Sequence, residues 1–388
     1  MTLFTDFLRA QTYTPVVDDR VNDALNVDTD PLADPERRGG WEIKAAASAT
    51  HDSNIFLSNT DAEADEVIRV GPQVGYTQGD AKEGPGGFVR FAYEPVAVFY
   101  LKHDSNNRVD QRADLTAGWR GQGYAVTYAG AARQLGDATA ETARPTERVE
   151  LENEVRAAWE PREKVTLEVS AGNKATAYDS RALYDSSETY GRAAIRYAYS
   201  PKTEVGVAYQ AGQLRVEDGG DQFLQQVTAE IAWQPRQKIR VLLRAGGELR
   251  KADDGNRTNP VMEGRIEWDA REGTKLYLAG YQRQEASSYY AGQDYNVLAG
   301  AVGISQRLGG AWTARLDVGA GKTRYDRVSG SAPADREDVI WFIRPALEYQ
   351  LSEALDVSLF YQHSRNKSTA VDFGYRQDLI GVEVVYQF

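Results

Sequence analysis

Glu152 and Glu154 form the kind of carboxylate pair that could serve as acid and base on a glycosidic bond, and they stand one residue apart. On an extended backbone that spacing puts both on one side, where Arg156 joins them. The same side of other segments repeats the mixture, with Arg192, Arg196, Glu230, Arg240, Arg244, Glu248, Arg315, Arg344 and Glu348. Acids interleaved with arginines are what any polar pore wall supplies, so a lumen charge ladder is expected here and an enzyme is not. Opposite charges on adjacent strands can pair, which stiffens such a wall and leaves it without a strong ion preference. Tyr100, Tyr190, Tyr277, Tyr281 and Phe360 share that side. In a wet channel their rings could stack on sugars; filling space is the competing role.

Other chemistries lack their residues. Without Cys there are no disulfides, thiolate zinc sites or thiol nucleophiles, and three scattered histidines, His51, His103 and His363, leave little for a His-based centre. The acidic stretches 253–256 and 217–221 lack the spacing of an EF-hand calcium loop. No metal and no cofactor are expected. A formal net charge of -12 argues against a nucleic-acid partner, whose phosphates need clustered Lys and Arg.

The elements that must position these side chains are strands. Period-two alternation runs through the chain: Val339, Trp341, Ile343, Leu347 and Tyr349 share one parity, whereas Arg344, Glu348 and Gln350 take the other. The longest charge-free runs fall short of the roughly 18 apolar residues of a spanning helix. Only 41% of the chain is hydrophobic and 26% is charged, yet 10% is aromatic, with 22 Tyr against 11 Phe. That balance suits a β structure with one wet face. A soluble sandwich would alternate as well, but the connections argue against it. Tight links at 160–164, 200–203, 234–238, 269–275, 308–311 and 351–354 alternate with longer polar stretches at 135–148, 178–188, 251–259, 285–295 and 326–336. Outer-membrane barrels have this order of short periplasmic turns and long external loops.

Eighteen candidate strands run from 41–50 to 379–388, the least regular being 111–119 and 124–133, so 16 or 20 are the neighbouring counts. The expected fold is all-β: a transmembrane antiparallel up-and-down barrel of about 18 strands over residues 41–388, in the outer membrane of a Gram-negative bacterium. Trp159, Tyr199, Trp233, Trp268, Trp312 and Tyr349 fall beside short links on the apolar parity, as a membrane girdle would. In the last strand Ile380, Val382, Val384, Tyr386 and Phe388 make an apolar row ending on an aromatic residue. Such a row resembles the terminal signal read by the barrel-insertion machinery, which, with outer-membrane lipid, is an expected partner. Residues 1–40 do not alternate and carry Pro15, Pro31 and Pro35, so they read as a periplasmic segment, partly ordered or plug-like. Within it Leu3, Phe4, Phe7 and Leu8 have helical spacing. No signal peptide is apparent, and one is inferred to have been removed.

The segment His51-Asp52-Ser53-Asn54-Ile55-Phe56, behind a first strand opened by Trp41, resembles the signature of an outer-membrane β-barrel porin family of the kind found in exopolysaccharide gene clusters. The turns and the closing Phe388 fit that family along nearly the whole of 41–388. The resemblance implies an eighteen-stranded exit channel for a secreted polysaccharide. A helical repeat domain ahead of the barrel is lacking, so the same reading calls for a separate periplasmic export partner. From the residues alone two other roles stay open: a general or solute-selective diffusion porin passing small polar solutes, and a closed barrel with a structural or adhesive surface role.

Overall fold

Each segment has one polar and one apolar face, and closing a ring serves both while pairing every backbone group in lipid. The computed structural model describes residues 39–79, 85–142, 144–252, 255–325 and 336–388. The strands are β1 (Gly39–Asp52), β2 (Asp65–Gln78), β3 (Gly86–Tyr100), β4 (Arg108–Arg120), β5 (Tyr124–Leu135) and β6 (Arg148–Arg162). They continue with β7 (Val165–Tyr178), β8 (Ser186–Ser200), β9 (Thr203–Val216), β10 (Gly220–Arg236), β11 (Ile239–Ala252) and β12 (Gly255–Arg271). The ring is completed by β13 (Thr274–Ala286), β14 (Asp294–Gly309), β15 (Trp312–Tyr325), β16 (Glu337–Ser352), β17 (Leu355–Ser368) and β18 (Tyr375–Gln387). Every strand pairs antiparallel with its sequence neighbours, and β1 also pairs with β18, from Lys44 opposite Gln387 to Asp52 opposite Leu379. The result is the expected barrel, with eighteen strands rather than 16 or 20. Residues 1–38, including Leu3, Phe4, Phe7 and Leu8, lie outside the described residues.

The outer side carries the apolar parity. Val155, Val169, Ile195, Val207, Val227, Leu278, Leu298 and Leu359 are all exposed there, in a closed barrel whose other face is charged. Only a lipid surround stabilises that arrangement, and the chain is a bacterial outer-membrane protein. β1 starts and β18 ends at the rim of short connections, which is the periplasmic rim.

At that rim one device repeats. The register slips between Trp159 and Arg162, Ala198 and Ser200, Trp233 and Arg236, and Gln350 and Ser352, each next to a girdle position. Pro161 and Pro235, which cannot donate to a ladder, sit inside two of these bulges. The N–H groups of Glu160, Ala198, Gln234 and Asp269 donate to the carbonyls of Gly123, Lys164, Lys202 and Lys238 at 2.7, 2.9, 2.8 and 2.9 Å, tying each strand to the preceding turn. The Phe388 N–H closes the circle on the Ile43 carbonyl at 3.0 Å.

One expected loop is corrected. Residues 251–259 read as a long polar connection, but β11 and β12 pair as far as Ala252 opposite Gly255, so most of the stretch is hairpin. Polarity there marks strands that rise beyond the membrane into water. Positions 253 and 254 of the acidic stretch, and 326–335 of the connection before β16, lie outside the described residues.

Candidate functional site: the lumen and its extracellular mouth

The even-numbered positions of β8, β10 and β11 turn inward, and their register stacks arginine beside glutamate. Glu230 of β10 has a fully buried side chain and takes three guanidinium groups. Arg244 Nε approaches it at 3.1 Å, Arg196 Nη2 at 3.3 Å, and Arg192 donates a close hydrogen bond. Glu168 of β7 accepts from Arg192 Nη1 at 2.8 Å and Arg196 Nη1 at 2.7 Å. Arg156 pairs with Glu154 at 2.6 Å, and Arg240 reaches Glu267 at 2.9 Å. The expected ladder residues Arg156, Arg192, Arg196, Glu230, Arg240 and Arg244 thus stand on one continuous wall from β6 to β12. Glu248 belongs to a second group nearer the mouth, where Arg250 bridges it at 2.9 Å and Asp294 at 3.0 Å. Arg315 and Glu348, paired at 2.9 Å, stand with Arg344 on the opposite wall.

The five inward aromatic residues are not gathered into one track. They lie on β3, β8, β13 and β17, with only Tyr277 and Tyr281 sharing a strand. Three of them cover an inward glycine directly across the ladder: Tyr190 over Gly172, Tyr277 over Gly303 and Phe360 over Gly381. A glycine on a pleated wall leaves a gap, and a neighbouring ring fills it. Their polar or open sides are engaged too. Tyr277 Oη donates to Asp317 Oδ1 at 2.6 Å and Tyr190 Oη to Glu154 Oε2 at 3.1 Å. Arg344 lies 4.6 Å from the centre of the Phe360 ring, Arg283 4.4 Å from that of Tyr281, and Arg108 5.6 Å from that of Tyr100.

Outside, the girdle residues Trp159, Tyr199, Trp233, Trp268 and Trp312 are exposed on the periplasmic end of the wall, and Tyr349 packs its ring 4.4 Å from Trp312. Ile380, Val382 and Tyr386 of the terminal row are exposed on the outer face, with Val384 half-buried among them. The Phe388 ring meets Tyr386 edge-on at 4.9 Å.

The mouth holds what sequence reading did not find. The described residues of the connection between β5 and β6, 136–142 and 144–147, bring the chain across the lumen to strands half-way round the eighteen-stranded ring. Ala138 and Ala140 pack with inward Ala301, Ile340 and Phe342, joined by Leu57 from the β1–β2 connection. Arg336, just before β16, latches the crossing: its Nη2 donates to the Ala140 carbonyl at 2.8 Å and its Nη1 to the Glu141 carbonyl at 3.2 Å. Asp338 pairs with the same guanidinium at 2.7 Å, and the Phe373 ring lies 3.5 Å beneath it. Glu141 Oε1 in turn accepts from Ser287 Oγ at 2.8 Å and from the Ser288 N–H at 2.9 Å. At the near end, Asp137 meets Arg148 at 2.9 Å. Burial opposes its charge, but Arg148 and then Arg108 outweigh that and hold its carboxyl below the usual range.

Fold and site together define a bacterial outer-membrane β-barrel of porin architecture, with a paired-charge wall and a loop-crossed mouth. No protein-family model matches the chain, and no curated protein does. Solved structures are similar to it over most of their length. OpdQ of Pseudomonas aeruginosa is 9% identical with a TM-score of 0.49, the match covering 91% of this chain and 99% of that one. OccK2 (OpdF) of the same organism, in complex with glucuronate, is 11% identical with a TM-score of 0.49, over 90% and 98%. The outer membrane protein opdK is 13% identical with a TM-score of 0.45, over 90% and 98%.

Proposed function

We propose that this chain is a diffusion channel admitting small polar solutes, the first of the two roles left open by its residues, rather than an exit pore for a polymer. The observation that carries the reading is the crossing of the mouth by residues 136–147, fastened at its far end by Arg336 and Glu141. A chain-like polymer needs continuous width, whereas a small solute can pass beside a fixed crossing. The wall favours polar cargo: arginine and glutamate groups in pairs offer donors and acceptors without a strong net field. Eighteen strands leave room for an aqueous channel.

Conductance in planar bilayers, with liposome swelling, tests this. Unmodified protein should pass ions and small sugars steadily and exclude polysaccharide. Arg336→Ala with Glu141→Ala should unlatch the crossing and raise single-channel conductance and the size limit. Passage of polymer through the unmodified barrel would overturn the proposal. Near-zero conductance in both proteins would overturn it in favour of a closed structural barrel.

A further inference from the structure

Outside the lumen, the wall of β17 and β18 changes character towards the extracellular rim. Leu359 on β17 and Val382 and Ile380 on β18 face lipid. Above them Tyr361 Oη donates to Asp378 at 2.6 Å and the His363 ring meets Trp341 at 5.0 Å, forming an outer aromatic rim. The next outward positions are all cationic: Arg365 and Lys367 on β17 and Arg376 on β18. Arg365 and Arg376 are direct cross-strand partners. Like charges in that register repel unless an anion lies against both. Asp378 engages one edge of Arg376 at 3.4 Å, but among the described residues Arg365 and Lys367 have no carboxylate within ion-pair distance. The three cations line a groove of roughly 620 Å³ with Ser368 and Val371, and no acid lines it. On other parts of the outer rim Lys322 and Arg324 share Glu337 at 2.8 and 3.2 Å, and Arg215 has Asp221 at 3.7 Å.

We propose that this groove binds the phosphate of an outer-leaflet phosphoglycolipid. The acyl chains would lie on Leu359 and Ile380, and the headgroup phosphate would rise beside Arg365, Arg376 and Lys367. Height and charge both fit, because the cations begin where the apolar belt ends and two guanidinium forks offer paired donors to phosphate oxygens. The bound lipid relieves the Arg365–Arg376 repulsion and so stabilises the seam next to the β1–β18 closure.

The full-length barrel in non-ionic detergent should be titrated with lipid A bearing two phosphates, with the same lipid stripped of them, and with inorganic phosphate. Native mass spectrometry and the thermal midpoint are the readouts. The phosphorylated lipid alone should bind and stabilise. Arg365→Gln with Lys367→Gln and Arg376→Gln should weaken it about tenfold or more, the effect of losing roughly 1.4 kcal/mol, while Arg215→Gln leaves binding unchanged. Equal binding of the dephosphorylated lipid would reduce the groove to acyl contact, and inorganic phosphate matching the lipid would make it a free-anion site; either overturns the proposal. Should the triple variant fail to assemble, raising salt must release the lipid from the unmodified protein, and salt-insensitive binding overturns it equally.

Discussion

At position 303 a side chain of any size is excluded by what faces it. A Cβ there would overlap the Tyr277 ring and the Asp317 carboxylate, which Tyr277 holds by its hydroxyl. Gly303→Ala should therefore lower stability by about 1–3 kcal/mol, the ordinary cost of overpacking. Heat-modified mobility on gels would show it as a lower transition temperature, and Tyr277→Ala in the same chain should recover part of the loss. Full additivity of the two changes would mean that the ring does not occupy that gap. A second residue-scale effect belongs to His103, on the connection after β3. Its Nδ1 lies 2.8 Å from Asp65 and its Nε2 2.6 Å from Glu63. The hydrogen bond to Asp65 first, and that to Glu63 next, raise its pKa above the ordinary value. A raised value means that its charged form stabilises the folded rim. That contribution is full below the unfolded value of about 6.5 and fades as pH climbs through the raised one. Amide exchange of residues 101–107 should accelerate over that rise, and His103→Asn should abolish the dependence; an unchanged profile in the variant would assign the effect elsewhere.

Strand by strand, the amphipathic pattern was legible because each element is a local statement: one side must meet lipid, the other water. Trp159 beside EPR and Trp233 beside QPR marked the short periplasmic links, but the bulges that Pro161 and Pro235 occupy there came only with the register. The ladder was legible too, because parity alone turns Arg192, Arg196 and Glu230 inward. The crossing at 136–147 was not. Its contacts run through Ala138 and Ala140, which carry no pattern, and through Arg336, 196 residues from its partner Ala140. Small residues are what a chain needs to enter a narrow lumen, but alone they look like any loop. The inward aromatics can be assigned to their strands by parity, yet their glycine partners depend on register across two strands, which one strand's sequence does not hold. The terminal element carries its own test. Phe388 is exposed on the outer wall and its backbone closes on β1. Phe388→Asp puts a charge at the lipid interface, where the direct cost is at most about 1 kcal/mol, so a severalfold fall in outer-membrane level would point to a recognition role as well. Phe388→Tyr should keep normal levels. Equal levels of heat-modifiable barrel from Phe388→Asp would show that the terminus is not read in this way.

For the whole molecule, the balance of charge along the lumen decides what ions feel. Arg240 is the most open rung, with 61% of its side chain exposed, and its strand neighbour Arg244 is 34% exposed. Replacing both with Gln removes two positive charges. Glu267 keeps Arg265 at 2.7 Å and Glu230 keeps Arg192 and Arg196, so the wall should stay folded. Glu263 loses the Arg244 contact that now stands at 3.3 Å. The field in the lumen then turns negative on this side, and reversal potentials in a salt gradient should move towards cation preference. Screening sets the size of the effect. At about 0.1 M salt the Debye length is about 10 Å, and the shift should be plain; at about 1 M it is about 3 Å, and the shift should nearly vanish. A solute that diffuses past this wall must report its charge, so a change confined to low salt would place the ion path along β10 to β12. Unaltered selectivity at both salts would mean that ions travel elsewhere, along the wall of Arg315, Arg344 and Glu348, and the channel proposed here would have to be drawn on that side of the crossing.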